Sequence, residues 1–415
     1  MTANGAPGSS HKRGHRRVSR DGNVTFKRRS TSEIMTAIQL GIEYTVSREN
    51  HTPMRDLLTH DFCVVESFDF PSDGGRGTPA HKLSSFAFKC YAPAAFRHFR
   101  RFYGINMAQF LHSICASSLL ELPNAGASGS IFFRTADDCF IIKTVQSGEA
   151  KYLRRLLQQY YITLTQNPGT LLPKFYGLYC YKCGSKRIRF AVMNNLLPSS
   201  VPICEKFDLK GSTYKRRASP EEKAKACPTL KDLDFREIHP SGLLLEAEAY
   251  DQLVDTLARD CLVLRSFSIM DYSLLVAVCN LDSPDAVCGD AEVKLNHQLI
   301  PTPQPDAIAP HPPPTEQQRW HPASATAPPA DPELESAIKR SPISGLPARN
   351  ERGDRLLLYV GIVDILQDYR LAKRMEHTMW SLVTDAESVS VVHPDFYSTR
   401  YQSFLREFVF KRSVD

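Results

Sequence analysis

The chain has 415 residues, 42 % of them hydrophobic, and a net charge of +6. That is enough apolar mass for one large core or two smaller ones, which excludes a mostly unfolded chain. No apolar run approaches the length of a membrane-spanning helix and the first residues lack a signal-peptide core, so a cytoplasmic protein is expected. In chain order, residues 1–30 are rich in Gly, Ser, Lys and Arg and read as a disordered basic arm. From Thr31 to Leu122 helical and strand patterns mix. FCVVESFDF alternates like a strand, and AAFRHFRRFYG carries Phe96, Phe99 and Tyr103 at helical spacing. Residues 129–145 read as two strands and 149–165 as a helix that the turn Asn167-Pro168-Gly169 ends. Two more strands follow, around Phe175–Cys180 and Ile188–Met193. The stretch 283–349 holds about half of the 28 prolines and little aliphatic mass, so it reads as a disordered Pro/Ala-rich insertion. Periodicity resumes at Leu356 and lasts almost to the end.

The 11 cysteines are scattered through apolar segments as small core residues. Cys180 and Cys183 alone have metal-like spacing, and Tyr181, Lys182 and Gly184 make that segment a hairpin turn instead.

Charge is more informative by position than by sum. Basic residues gather at the N-terminus, from Lys206 to Arg217, and around Lys373, patches that suit anionic lipid or phosphate. Gly126-Ala-Ser128-Gly129-Ser130 precedes two strands, and small residues there let backbone N–H groups approach a triphosphate. Lys143 points inward on the second strand, where a cation needs an anionic partner. In kinases that partner is the ATP phosphates plus a helix glutamate, and Glu149 is the only acidic residue between Lys143 and Glu205. A Gly-Ser hairpin with a snorkelling lysine would read the same way.

Two carboxylates stand in apolar runs. Asp364 follows Val360, Ile362 and Val363, where it needs a cation beside it. Asp271 sits in RSFSIMDYSLLVAVCN. With the insertion removed, about two dozen residues separate them, enough for two paired strands and a short loop. A base or positioning carboxylate beside a metal-binding one is what phosphoryl transfer needs. After Asp364, Leu371, Met375, Met379, Leu382 and Val383 share one face of a helix, while Arg370, Lys373, Arg374 and His377 share the other. With Trp380 at the seam, that is the composition of a helix lying on an anionic membrane. An ordinary surface helix would carry the same stripe.

These residues, with KFDLKGSTYKRRAS at 206–219, closely resemble the phosphatidylinositol phosphate kinases, in particular the type I 4-phosphate 5-kinases. Further blocks carry the resemblance: FIIKTV, QNPGTLLPKFYGLYC, RDCLVL, IMDYSLLV, RLLLYVGIVDILQDYR and VVHPDFYSTRYQSF. It implies an α+β, two-lobed kinase-like fold, with antiparallel sheets and packed helices, an ATP cleft between the lobes and a flat basic membrane-facing surface. The kinase domain would run over 31–415. Its parts would be an N-terminal dimer-forming region (31–122), an ATP-binding lobe (123–200) and a catalytic lobe (201–282 and 350–415), with a specificity loop at 370–397. By the same resemblance Gly126, Ser128, Gly129, Ser130, Lys143, Glu149, Met193 and Asn194 bind ATP. Asn195 then lies in the hinge, Asp271 is the catalytic aspartate and Asp364 the Mg2+ ligand. Lys210, Arg216, Lys373, Arg374 and Glu376 would engage the lipid, with Glu376 marking the type I choice. The implied partners are phosphatidylinositol 4-phosphate on the cytoplasmic face of the plasma membrane, a second copy of the chain and small GTPases, and no nucleic acid.

The chain departs from protein kinases in lacking HRD and DFG motifs and in placing Val276 where a second metal-binding asparagine would stand. It departs from its own family at Trp380, where lysine is usual, and at Lys151, where a second helix glutamate is common. The alternatives are a type II-like 4-kinase, against which Glu376 argues, and a catalytically silent membrane scaffold, against which Lys143, Asp271 and Asp364 argue.

Overall fold

The computed structural model describes residues 16–18, 24–26, 29–49, 53–75, 77–122, 130–197, 202–283, 345–367 and 393–413. Three short strands, β1 (Arg16–Val18), β2 (Val24–Phe26) and β3 (Arg29–Ser30), form a small antiparallel sheet. Part of the segment expected to be a disordered arm is therefore ordered. Val18, Val24, Thr25 and Phe26 are the β-branched and aromatic residues that strand pairing favours.

The first large sheet follows α1 (Thr31–Glu49). It contains β4 (Val65–Phe70) and β5 (Phe86–Tyr91), then α2 (Pro93–Phe102), α3 (Met107–Cys115), β6 (Leu120–Leu122), β7 (Phe132–Arg134), β8 (Phe140–Val145), α4 (Ser147–Gln166), β9 (Phe175–Cys183) and β10 (Lys186–Asn194). Its strand order is β4-β5-β9-β10-β8-β7-β6, antiparallel at every pairing. The expected division at residue 122 runs through this sheet, so 31–122 and 123–200 build one unit. β9 shows why the sheet is buried on both faces. Its alternate residues Tyr179 and Tyr181 join the core under α1 and α3, while Leu178 and Cys180 join the core under α2 and α4. Cys180 and Cys183, three apart on one strand, point to opposite faces and join different cores, which rules out a shared metal.

The second sheet has the order β12-β11-β14-β16-β15-β13-β17. Its strands are β11 (Glu205–Leu209), β12 (Leu230–Lys231), β13 (Leu243–Leu245), β14 (Ser273–Asn280), β15 (Leu346–Arg349), β16 (Arg355–Val363) and β17 (Phe410–Arg412). Among them run α5 (Pro220–Lys223), α6 (Asp232–Ile238), α7 (Ala247–Ser266) and α8 (Pro394–Phe404). β11, β14, β16 and β15 are antiparallel neighbours, and only β12 and β17 at the edges pair parallel. The insertion is shorter than expected at its C-terminal end. Leu346–Arg349 forms β15, with Leu346 and Ala348 buried against the core. α8 likewise starts at Pro394, inside the stretch expected to be loop.

One core joins the two sheets. Phe96 and Phe99 of α2, Leu153 and Tyr160 of α4 and Leu178 of β9 pack in the same cluster as Leu274, Val276 and Ile362 of the second sheet. Leu196, in the connection between the sheets, lies against β16. A Cβ on Gly361 would come within 2.6 Å of its Cδ2, so glycine there is what lets the connection approach. Among the described residues, no helix is long and apolar enough to cross a membrane.

Candidate active site

Three adjacent strands bring the chemistry together at one end of the second sheet. β11 ends at Leu209, opposite Leu274, and β16 ends at Val363, opposite Ser273. Lys210 therefore follows β11, Asp271 lies two residues before β14, and Asp364 follows β16, side by side. The adjacency expected for the two aspartates holds. Both adopt the left-handed conformation, with φ of 61° at Asp271 and 63° at Asp364. Aspartate tolerates this region better than most residues, yet it still carries strain of the kind that collects at functional sites.

Each carboxylate has a lysine. Lys210 Nζ donates to Asp271 Oδ1 at 2.7 Å and to the Asp271 carbonyl at 2.8 Å. Lys143, from β8 of the first sheet, donates to Asp364 Oδ1 at 2.8 Å. The cation required beside Asp364 is therefore the inward lysine of the other lobe, 221 positions away in sequence. Burial pushes the Asp364 carboxyl upward, but Lys143 and the more distant Lys210 outweigh it and hold the group below the usual carboxylate range. Many atoms surround Asp364, yet 44 % of its side chain stays open to solvent. Lys143 is nearly buried, its ammonium also 5.3 Å from the Phe132 ring.

The surrounding structure fixes these groups. Asp232, almost fully buried, accepts from the backbone N–H of Lys210 at 2.8 Å and of Gly211 at 2.7 Å, and from Arg216 Nε at 2.5 Å. It thereby holds the turn after β11. Gly211 has φ of 65° and sits 3.1 Å, measured from an added Cβ, from Tyr401 and Phe404 of α8. The Tyr397 hydroxyl of α8 donates to the Tyr272 carbonyl, which pins the residue after Asp271. Rings of Tyr272, Tyr397 and Tyr401 pack against one another there.

At the end of β10, Asn194 exchanges two hydrogen bonds with Lys174: the Lys174 N–H reaches its Oδ1 at 2.9 Å and its own N–H reaches the Lys174 carbonyl at 3.1 Å. Asn195 donates from Nδ2 to the Asp138 carbonyl at 2.9 Å. Met193 is half-buried at the end of β10, facing the core. Ser130 is buried just before β7.

Two expected site residues make contacts within the chain. Glu149 accepts from the backbone N–H of Gln146 at 2.5 Å and caps the start of α4, while the carboxylate on Lys143 is Asp364. Its position three residues into the helix makes the capping contact geometrically immediate. Arg216 is buried between Asp232 and Asp208, at 2.5 Å and 3.1 Å, and so braces the loop beneath Lys210. Gly126, Ser128, Gly129, Lys373, Arg374 and Glu376, and with them the amphipathic helix, lie outside the described residues. Asp232 was not foreseen. A carboxylate opening a short helix has no distinguishing pattern in sequence; its role comes from three donors that the fold turns toward it. A cavity of about 500 Å³ opens beside the same turn, lined by Ser212, Arg236, Phe396, Arg400 and Phe404, and includes neither Asp271 nor Asp364.

Hard oxygen donors at two strand ends, one of them partly open, fit a Mg2+ ion, which is commonly held by one or two carboxylates plus substrate phosphates. The described residues form no cluster of three or more His, Cys, Asp or Glu that would cage a metal without a substrate.

The chain matches a family model described as Phosphatidylinositol-4-phosphate 5-Kinase over residues 113–408. It is similar to phosphatidylinositol 4-phosphate 5-kinase type-1 alpha of Rattus norvegicus, with 49 % identity over 406 residues, covering 96 % of this chain and 71 % of that protein. The type-1 alpha protein of Homo sapiens is 48 % identical over 96 % of this chain and 69 % of its own length. The human type-1 beta protein is 48 % identical over 94 % of this chain and 70 % of its own length.

Proposed function

Because the chain belongs to the phosphatidylinositol-4-phosphate 5-kinase family, we infer that it transfers the γ-phosphoryl group of ATP to the 5-hydroxyl of phosphatidylinositol 4-phosphate, making phosphatidylinositol 4,5-bisphosphate. The observation that carries the reading is the meeting of Lys143 with Asp364 beside the Lys210–Asp271 pair. Asp271 is the base that takes the 5-hydroxyl proton as its oxygen bonds to the γ-phosphorus and ADP leaves. Lys210, bound to both the carboxylate and the carbonyl of Asp271, aims that carboxylate. Lys143 neutralises the phosphates and Asp364 holds Mg2+, which when bound supplies charge neutralisation on the phosphoryl oxygens.

The lipid is met at a membrane. Lys373 and Arg374 engage the anionic head group, Leu371, Met375 and Met379 insert, and Glu376 favours the 4-phosphate lipid over the 5-phosphate isomer. The protein acts on the cytoplasmic face of the plasma membrane, as a dimer through its N-terminal part, with small GTPases as partners. Purified protein incubated with labelled ATP, Mg2+ and each monophosphorylated phosphoinositide tests the reading. Phosphatidylinositol 4,5-bisphosphate is expected from the 4-phosphate lipid. Efficient conversion of the 5-phosphate lipid alone would replace it with the 4-kinase reading.

A further inference from the structure

The block RDCLVL contains a carboxylate that the mechanism above does not use. Asp260, on α7, is 2 % exposed. Its Oδ1 accepts from the Thr170 hydroxyl at 2.6 Å and its Oδ2 from the Leu171 N–H at 2.7 Å. The Leu171 carbonyl in turn accepts from the Ile362 N–H at 2.8 Å, two residues before Asp364 on β16. The same short segment, three residues further on, carries Lys174, whose backbone pairs both ways with Asn194. One buried carboxylate thus anchors the segment that touches both the end of β10 and the strand bearing Asp364.

We propose that Asp260, in its charged form, is a positioning residue for phosphoryl transfer, holding Thr170–Leu171 so that Leu171 sets the end of β16 and with it Asp364. The proposal rests on the reading of Asp364 as the metal carboxylate of a lipid kinase.

A purely structural carboxylate at this place would be a poor choice, because its burial opposes its charge. Burial raises the Asp260 carboxyl to about 6, against the lowering effects of Thr170, Leu171, Arg259 and Lys174. Lys174 faces it from the segment after the turn and is itself lowered by burial. Tyr103, Tyr160 and Cys261 also face it, all pushed upward by burial and neutral throughout the range that matters. The sign for stability follows. A carboxyl raised on folding favours the native state at low pH, and that contribution is lost as pH rises from the unfolded value, near 4, through about 6. The charge at neutral pH therefore costs stability, and its use is in holding the two donors, since hydrogen bonds to an ionised acceptor are the stronger kind.

The test compares wild type with Asp260→Asn, which keeps the shape but never carries charge: its amide oxygen can still accept from the Leu171 N–H, while its amide nitrogen can only donate to the Thr170 hydroxyl oxygen. Turnover of phosphatidylinositol 4-phosphate in vesicles is measured from pH 5 to pH 8, and the wild-type-to-variant ratio of kcat is plotted, so that titration of ATP and lipid cancels. The expected ratio is about tenfold at pH 8, equivalent to ~1.4 kcal/mol or one charge-assisted hydrogen bond. It should fall toward one below a midpoint near 6, with KM for the lipid unchanged. Thr170→Val, which removes one lowering contact, should give a smaller ratio and move the wild-type midpoint upward. A ratio that stays constant across pH, whether at one or at ten, would overturn the proposal. Wild-type protein that makes no 4,5-bisphosphate would instead overturn the kinase reading on which it rests.

Discussion

Replacing Lys143 by Met separates what the ion pair does for catalysis from what it does for folding. Methionine keeps most of the buried stem and removes the ammonium that reaches Asp364 at 2.8 Å. The pair is unequal in exposure, with 9 % of the lysine side chain and 44 % of the aspartate side chain open. Water can therefore solvate the orphaned carboxylate, and the stability loss should be about 1 kcal/mol, as for an exposed pair, and not the 3–5 kcal/mol of a fully buried one. For a chain of this size that is a shift in Tm of about 2 °C or less. The loss in turnover should be far larger, about 10²–10³-fold, because a positioned cation acting on the transferring phosphoryl group is missing. The pH dependence has a definite sign. The Asp364 carboxyl is depressed in the folded protein, mainly by Lys143 against the opposing effect of burial. Its contribution is present above the ordinary carboxylate range and is lost as pH falls through the depressed value. The small stability gap between wild type and variant should thus be seen at pH 7 and close on acidification. Urea unfolding at several pH values and a vesicle kinase assay on the same preparations measure both. A variant that kept a third or more of wild-type turnover, or that lost about 4 kcal/mol of stability, would refute the reasoning.

The left-handed backbone at Asp271 and Asp364 predicts that Asp→Asn at either position abolishes most turnover with little loss of stability, whereas Asp→Ala adds about 1–2 kcal/mol of strain; paired thermal melts and kinase assays check this. Deleting 284–344 should preserve turnover if the linker reaches across β16 from β14 to β15, a span of two strand spacings or about 10 Å that six to eight residues cover comfortably. Extending the deletion through Arg349 removes β15 with buried Leu346 and Ala348, and soluble yield should then collapse. Lys373→Asn with Arg374→Asn should weaken vesicle binding by about 30-fold, from roughly 1 kcal/mol per cation, and leave ATP affinity unchanged, whereas Glu376→Ala should blur the choice between 4- and 5-phosphate lipids without loss of sedimentation.

What was legible in sequence was local or periodic. The strands around Phe132 and Phe140, the long helix ended at Asn167-Pro168-Gly169, and the apolar runs holding Asp271 and Asp364 all follow from alternation, spacing and turn residues. The pairing of the two aspartate strands could be inferred because so few residues separate them once the insertion is set aside. Partners were harder. Glu149 is nearest to Lys143 in the chain, but a residue in the first turn of a helix satisfies the backbone there, and the carboxylate that Lys143 reaches comes from the other sheet. Arg216 looked available because sequence does not reveal that Asp232 and Asp208 lie against it. Leu346–Arg349 is four residues long, contains a proline and abuts a proline-rich stretch, so only its pairing between β16 and β13 identifies it as a strand.

The most direct test sets wild type beside Asp364→Asn on vesicles containing phosphatidylinositol 4-phosphate, with labelled ATP and position-resolved analysis of the product. Wild type should yield the 4,5-bisphosphate, and the variant, equally folded by thermal melt, should yield almost none. A folded Asp364→Asn protein that formed the same isomer at the wild-type rate would contradict the assignment of this cleft as the site of phosphoryl transfer.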